Sequence, residues 1–214
     1  MKKDAMILVA CEESGTVTEA FINLGFTNVY SCDLLPTSGN YPAHHLQCDA
    51  LELLKLKWDM IIAHPPCTYL TNAGARWLWA GHELNQERYQ KGLDAKAFFM
   101  AFYNADCPRI AVENPVPSAV FEMPPCTQVI QPYEFGHPYS KKTCLWLKGL
   151  PPLKPTEIVE NHIPFVSSGS YTKTHDPKYK GASRKGGAAK SRSKTFPGIA
   201  KAMASQWSGP CGKE

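Results

Sequence analysis

Short apolar runs alternate with amphipathic stretches along the first 150 residues, and each run has the length of a buried strand. Residues 6–10 (MILVA), 28–32 (NVYSC), 58–63 (WDMIIA), 109–112 (RIAV), 127–131 (TQVIQ) and 143–147 (TCLWL) read as strands. Residues 16–24 read as the helix after the first strand, ended by Gly25. Residues 83–105 read as a long helix. Its second half, AKAFFMAFYNA, is apolar almost all round, which predicts burial against a sheet. Strands alternating with helices in this way predict an α/β fold with a mostly parallel central sheet.

After Pro151 the texture changes. Pro, Ser, Gly and Lys dominate residues 164–194, which read as loop with partial disorder. Residues 195–207 (TFPGIAKAMASQW) regain helical periodicity through Ile199, Met203 and Trp207, with Pro197 suited to a first turn. The chain therefore divides into a main domain over 1–150, a short basic loop region over 151–194, and a C-terminal helix over 195–214 that packs back on the main domain. Its 214 residues suffice for one sizeable α/β core and not for two.

Charge changes this picture by its placement and not by its sum. The net charge of +4 names no partner. From Lys173 to Lys201, however, nine basic residues face one acid, Asp176. Such a run is either a solvated segment or an arm that contacts phosphates, with Arg184 and Lys185 at its centre. The eight cysteines include no C-x-x-C pair and no zinc-like spacing with histidine, so no metal is expected. No signal peptide and no membrane-spanning apolar stretch are present, which predicts a cytoplasmic chain with reduced thiols.

Four of the expected strands end on polar or reactive residues: Cys11-Glu12-Glu13, Asp33, His64-Pro65-Pro66-Cys67 and Glu113-Asn114. In open α/β sheets ligands bind outside the carboxyl ends of the strands, so these groups should share one crevice. Gly15 permits a tight turn there. Asp33 is either a helix cap or an acceptor for ribose hydroxyls. Asp49 either caps a helix starting at Ala50 or reaches an adenine amino group. Pro65 and Pro66 stiffen the loop and force the chain off the sheet, presenting Cys67 as a nucleophile. Its thiol, ordinarily at a pKa of about 8.5, needs polar or positive surroundings to react as thiolate. Glu113 is placed to hydrogen-bond the ring edge of a base, or else holds its loop. Asn114 is expected to brace the backbone at Pro66–Cys67. Residues 68–82, with Tyr69, Arg76, Trp77 and Trp79, read as a loop able to close over the site, or as a surface loop packing its own aromatics.

In this order the motifs resemble those of the cytosine-C5 DNA methyltransferases, over nearly the whole chain. VACEESGTVTEAF resembles the family's first cofactor motif, IIAHPPCTYL its proline–cysteine nucleophile motif, and VENP its ENV motif. FGHPYSKKTCLWLKG resembles the segment that runs into a late strand, with Lys141 and Thr143 where the family has arginines. KTFPGIAKAMASQW is similar in place to the final helix that returns to the cofactor pocket. The resemblance implies a Rossmann-like fold that binds S-adenosylmethionine through Cys11, Glu12, Gly15, Asp33, Asp49 and Pro65. It implies Cys67 as nucleophile and Glu113 as the glutamate that engages cytosine. Asn114, Lys141, Arg76, Arg184 and Lys185 would then contact substrate, a nucleic acid, with DNA favoured over RNA. Other readings are the same chemistry on RNA or a nucleotide, an amino-group methyltransferase, and an S-adenosylmethionine-binding regulatory or anti-restriction module without catalysis. An amino-group enzyme would carry an aromatic residue where Cys67 stands.

Overall fold

The structure is a computed structural model that describes residues 1–75, 77–80, 82–165 and 193–209. Among these residues the central element is a seven-stranded sheet: β1 (Ile7–Ala10), β2 (Val29–Asp33), β3 (His45–Gln47), β4 (Met60–Ala63), β5 (Ile110–Pro115), β6 (Gln128–Ile130) and β7 (Thr143–Lys148). Their order across the sheet is β3-β2-β1-β4-β5-β7-β6. β7 is antiparallel to both of its neighbours, and the other pairings are parallel. The fold is thus mixed α/β with a mostly parallel sheet.

Both faces of the sheet are covered, which is why its strands read as unbroken apolar runs and not as alternating ones. On one face Ile7, Val9, Val29, Met60, Ile62, Ala111 and Leu145 pack beneath two helices, α1 (Thr16–Asn23) and the C-terminal one. On the other, Leu8, Ala10, Ile61, Ala63, Val112 and Trp146 pack beneath α2 (Gln86–Tyr103), which contributes Phe99 and Phe102. The last helix, α3 (Pro197–Trp207), buries Ile199, Ala200, Ala202, Met203, Ala204 and Trp207. A stripe with three alanines lets it lie close against α1. At Gly198 a methyl group would fall 1.9 Å from the Phe135 carbonyl oxygen, so the helix start requires glycine where it passes the backbone at Phe135. The stretch 151–165 is pinned to the same body. Gln128 and Leu153 exchange hydrogen bonds of 2.7 and 2.8 Å, and the Trp207 indole donates to the Pro151 carbonyl at 2.9 Å.

Three elements differ from the sequence expectation. β5 runs on to Pro115, so Glu113 and Asn114 lie inside a strand and not after it. The cause is β7, whose Thr143 and Cys144 pair with Pro115 and Asn114. β3 is an additional edge strand that carries no apolar run (His-Leu-Gln). The long helix begins later, at Gln86, because the Asn85 side chain caps it through the Arg88 amide; Glu83–Leu84 pair instead with Trp79–Ala80.

The chain fills β1, β2 and β3 outward on one side and then crosses to β4 on the other. The strand order therefore reverses between β1 and β4. The crevice at a reversal of this kind, outside the carboxyl ends, is where open α/β sheets hold ligands.

Candidate active site at the carboxyl edge of the sheet

Immediately after β1, Cys11 has φ 58°, the left-handed region that few side-chain-bearing residues adopt. This turn carries Glu12 beneath the start of α1. Its carboxylate accepts from the Val17 amide at 2.5 Å, the Thr18 amide at 3.2 Å and the Thr18 hydroxyl at 2.8 Å. Gly15, the N-cap residue at φ 64°, has no side chain to offer, so Glu12 satisfies amides that would otherwise lack partners. Burial pushes the Glu12 carboxyl above its usual range, against the pull of the nearby His64 and of these hydrogen bonds.

Asp33 closes β2 and accepts from the Leu35 amide at 3.0 Å. Asp49 accepts from the Leu51 amide at 2.9 Å and so caps the helical turn Ala50–Leu53. Both acids stand close enough to Cys11 to act on its thiol. Burial, then the charges of Asp33 and Asp49, push that thiol up to about 12, so Cys11 is no nucleophile at neutral pH. Beyond Asp33 the chain folds back over the α1 turn: the Thr37 hydroxyl and the Ser38 amide donate to the Glu13 carbonyl at 2.8 and 3.1 Å. A methyl group at Gly39 would fall 2.7 Å from the Ser14 carbonyl oxygen, so this closure requires glycine. Leu34, 72% exposed, stands on the rim beside Asp33.

At the end of β4 the His64 amide donates to the Ala10 carbonyl at 3.0 Å, which carries the β1–β4 ladder one residue further. Pro65 is buried and Pro66 exposed. Cys67 is partly exposed, and its carbonyl accepts from the Leu70 and Thr71 amides, both at 3.2 Å, so it opens a compact turn. Asn114, 2% exposed, donates to the Pro65 carbonyl at 2.8 Å. It therefore braces the cysteine loop from β5, one residue earlier than the sequence suggested. Its Oδ1 is buried and has no partner among the described residues.

A short side-chain contact joins the end of β4 to the interior of β5. His64 Nδ1 donates to Glu113 Oε2 at 2.6 Å, and the two side chains are only 9% and 14% exposed. Burial disfavours the charged ring, but the Glu113 hydrogen bond and charge, with Glu12 behind, hold His64 above its ordinary value. For Glu113 burial is likewise opposed. The His64 bond and charge, the Lys141 charge and a hydrogen bond with Thr195 hold its carboxyl below the usual range. Thr195 lies just before α3, so the C-terminal segment reaches the same carboxylate. Lys141 is anchored through its amide to Gln131 Oε1 at 2.8 Å, with its ammonium 6.0 Å from the Phe196 ring centroid.

A stability prediction follows from the pair. A raised His64 contributes fully below its unfolded value of 6.5, and that contribution is lost as pH rises through the higher folded value. A lowered Glu113 contributes fully above 4.5, and that is lost as pH falls through the lower folded value. His64→Leu leaves a buried carboxylate without its cation and should cost about 3–5 kcal/mol. Urea unfolding should show the largest gap from wild type between pH 4.5 and 6.5, narrowing on either side. A gap independent of pH would mean that the pair is not ionic.

No family model matches the chain, and no curated protein matches it. Solved structures do. The chain is similar to a candidate DNA modification methyltransferase encoded within an E. coli prophage, at 15% identity and a TM-score of 0.45. That likeness covers 76% of this chain and 53% of the other, so the chain spans about half the length of that protein.

Of the residues singled out in the sequence, the structure brings Cys11, Asp33 and Asp49 together on the β1–β2 side of the crevice. It brings Pro65, Glu113, Asn114 and Lys141 together on the β4–β5 side, at the foot of the loop that carries Cys67. Glu12 lies between, facing α1 and His64. Arg76, Arg184 and Lys185 lie outside the described residues, as does most of the basic run. Two participants had been given no role of their own: His64, named only as part of the group that ends β4, and Thr195, which was not singled out at all. His64 carried a signal, a titratable residue between an apolar strand and Pro-Pro; Thr195 carried none. In the segment that follows Cys67, Trp77 and Trp79 are 59% and 54% exposed, and the Arg88 guanidinium lies 5.1 Å from the Tyr69 ring centroid. Among the described residues no cluster suits a metal ion, and no helix is long and apolar enough to cross a membrane.

Proposed function

We propose that this chain is a Rossmann-like, S-adenosylmethionine-dependent methyltransferase that transfers a methyl group to carbon 5 of cytosine in DNA, with Cys67 as nucleophile and Glu113 as the group that engages the base. The observation that carries the reading is the fastening of the cysteine loop to the Glu113 strand. His64–Glu113 and Asn114–Pro65 together hold the base of that loop against β5 beside the strand-order reversal. The order 3-2-1-4-5 of the first five strands is that of a doubly wound nucleotide-binding sheet.

The residues on the β1–β2 side suit the proposed cofactor. Asp33 and Asp49 each spend one carboxylate oxygen on a backbone amide, which leaves acceptors for ribose hydroxyls and an adenine amino group. Exposed Leu34 offers an apolar face for a ring. Two acids near the ligand also favour a cationic one. By contrast, Glu12 occupies the α1 amides, so that helix start is no site for an anionic group.

S-adenosylmethionine, when bound, supplies the methyl group. The chain's own residues prepare the base. Carbon 5 of cytosine is a poor nucleophile until a thiolate adds to carbon 6 and turns the ring into an enamine. Cys67 makes that bond. Negative charge then builds at N3, where Glu113 stabilises the proton that neutralises it. Loss of the carbon-5 proton expels Cys67. A duplex target must first be flipped out of the helix, at a cost of a few kcal/mol. Exposed Trp77 and Trp79, which follow Cys67 in the chain, together with Arg76, Arg184 and Lys185, are the proposed contacts to the polymer.

The test is labelled-methyl transfer to DNA, RNA and free nucleotides in parallel, with analysis of the product nucleosides. 5-Methylcytosine from DNA is the expected product. A methyl group on an amino nitrogen, or none on any substrate, would refute the proposal. Asp33→Ala should weaken cofactor affinity about tenfold or more, as for a lost charge-assisted hydrogen bond, while changing the methyl-transfer rate at saturation little. Unchanged affinity by calorimetry would reduce Asp33 to a turn residue.

A further inference from the structure

We infer that His64 is the proton source for this site, passing the Nδ1 proton through Glu113 to N3 of the base as Cys67 adds. The inference rests on the cytosine-C5 reading above and gives a chemical role to a residue that the reading uses only as a fastening.

Three observations carry it. His64 and Glu113 are joined at 2.6 Å by a bond that lies along the line any proton to or from Glu113 would take. The pair is enclosed, so bulk water has little access to that bond. The other ring nitrogen, His64 Nε2, is buried and without a partner among the described residues. A ring held by Glu113 alone can change its charge without breaking a second protein bond. The titratable groups that face it are Glu113 from β5, Glu12 from the turn after β1 and Lys141 from the segment before β7. Two acids against one base favour a stored proton on the ring. Glu113 alone is a poor donor, because its surroundings keep it ionised.

The step balances. The Cys67 Sγ–carbon 6 bond forms, and the C5–C6 and C4–N3 double bonds give way to one C4–C5 double bond. N3 gains a proton from Glu113, which takes the Nδ1 proton of His64, and the ring becomes neutral. The C4–C5 pair then bonds carbon 5 to the methyl group as its bond to the sulfonium sulfur breaks, and the C4–N3 double bond re-forms. The carbon-5 proton leaves to water, its C–H pair becomes the C5–C6 double bond, and the Sγ–carbon 6 pair departs with Cys67 as thiolate. N3 then returns its proton through Glu113 to His64. His64 is thus a positioning residue that acts through Glu113 and never touches the base.

The variant that separates this role from a merely structural one is His64→Asn. Its amide nitrogen stands near the position of Nδ1, so the bond to Glu113 is kept while the ability to titrate is lost. We expect kcat to fall about 100-fold or more, the scale of a lost general acid, with cofactor affinity unchanged. In wild type the rate should fall at high pH as His64 loses its proton, and the variant should lack that limb. The independent readout is the His64 imidazole resonance followed by NMR against pH in the full chain. It should titrate above 6.5 in wild type and fall back in Glu113→Gln. A His64→Asn enzyme that melts with wild type and forms 5-methylcytosine within threefold of the wild-type rate sinks the relay alone. So does a wild-type ring that titrates at or below 6.5. Absence of 5-methylcytosine from wild type with every polymer sinks the underlying reading, and the relay with it.

Discussion

Cys67→Ser should lower methyl transfer by at least about 10³-fold while leaving the fold and the cofactor affinity in place. A cysteine at neutral pH is already a few per cent thiolate and strongly nucleophilic, whereas a serine hydroxyl is almost wholly protonated and weak. The change is also nearly isosteric. Cys67 is only partly buried, and the contacts that shape its turn come from its carbonyl, which serine retains. Thermal melting should therefore move little, so a lost activity would be chemical in origin. The internal control is Cys107→Ser. That thiol is 2% exposed, donates to the Trp58 carbonyl at 3.3 Å and lies near Arg109 at the opposite end of β5. It should keep near-normal turnover, apart from a small loss of stability. Equal turnover by wild type and Cys67→Ser would remove the thiol from the mechanism and leave amino-group transfer as the better account.

The parts of the fold legible in the sequence are those with burial on both faces. β1, β4 and the first half of β5 appear as the runs ILVA, MIIA and IAV because helices cover the sheet on each side and these positions must be apolar. β3 could not be read this way. It is an edge strand of three residues whose membership depends on pairing with Ser31–Asp33, and pairing leaves no local trace. The same holds for the extension of β5 through Glu113, which exists because β7 lies beside it. Glu113, Asn114 and Pro115 are poor strand formers by composition, and the partner strand overrides that. The chemistry-bearing residues at the strand ends were visible because an apolar run that stops on Cys, Asp or Glu is unusual. Their partners were not. The His64–Glu113 bond spans 49 residues, and the Asn114–Pro65 bond spans the same distance. Thr195 comes from further still, carried to Glu113 by the docking of α3 on α1. Sequence spacing cannot report such contacts, because they are set by the strand order.

Glu12 shows the converse. Its position after β1 suggests a ligand contact, but the geometry gives its carboxylate to the start of α1. Gly15 is the reason. An N-cap residue without a side chain leaves the first amides unmet, and the nearest acid moves in. A local rule about caps, applied to Gly15, would have pointed there.

A cytosine analogue with fluorine at carbon 5 should join the protein covalently to the nucleic acid. The proposed cycle frees the enzyme only when the carbon-5 proton leaves, and the analogue carries no such proton. Once Cys67 has added to carbon 6 and the methyl group has been transferred, elimination is blocked and the sulfur–carbon bond persists. Incubation with S-adenosylmethionine and substituted DNA should therefore give a slower band that survives denaturation. Cys67→Ser should give none, because the bond-forming atom is gone. Glu113→Gln should trap slowly, since an amide is a weaker partner for the charge developing at N3 and raises the barrier to addition. His64→Asn should behave similarly to Glu113→Gln if the ring supplies the proton, and similarly to wild type if it only holds the carboxylate. The trap needs only a single addition and no turnover, so slow product release cannot mask it. Amino-group methylation forms no thiol adduct, and a module that merely binds S-adenosylmethionine forms none either. If the same DNA is measurably methylated and yet no band forms with the analogue, the methyl group is not going to carbon 5 through Cys67.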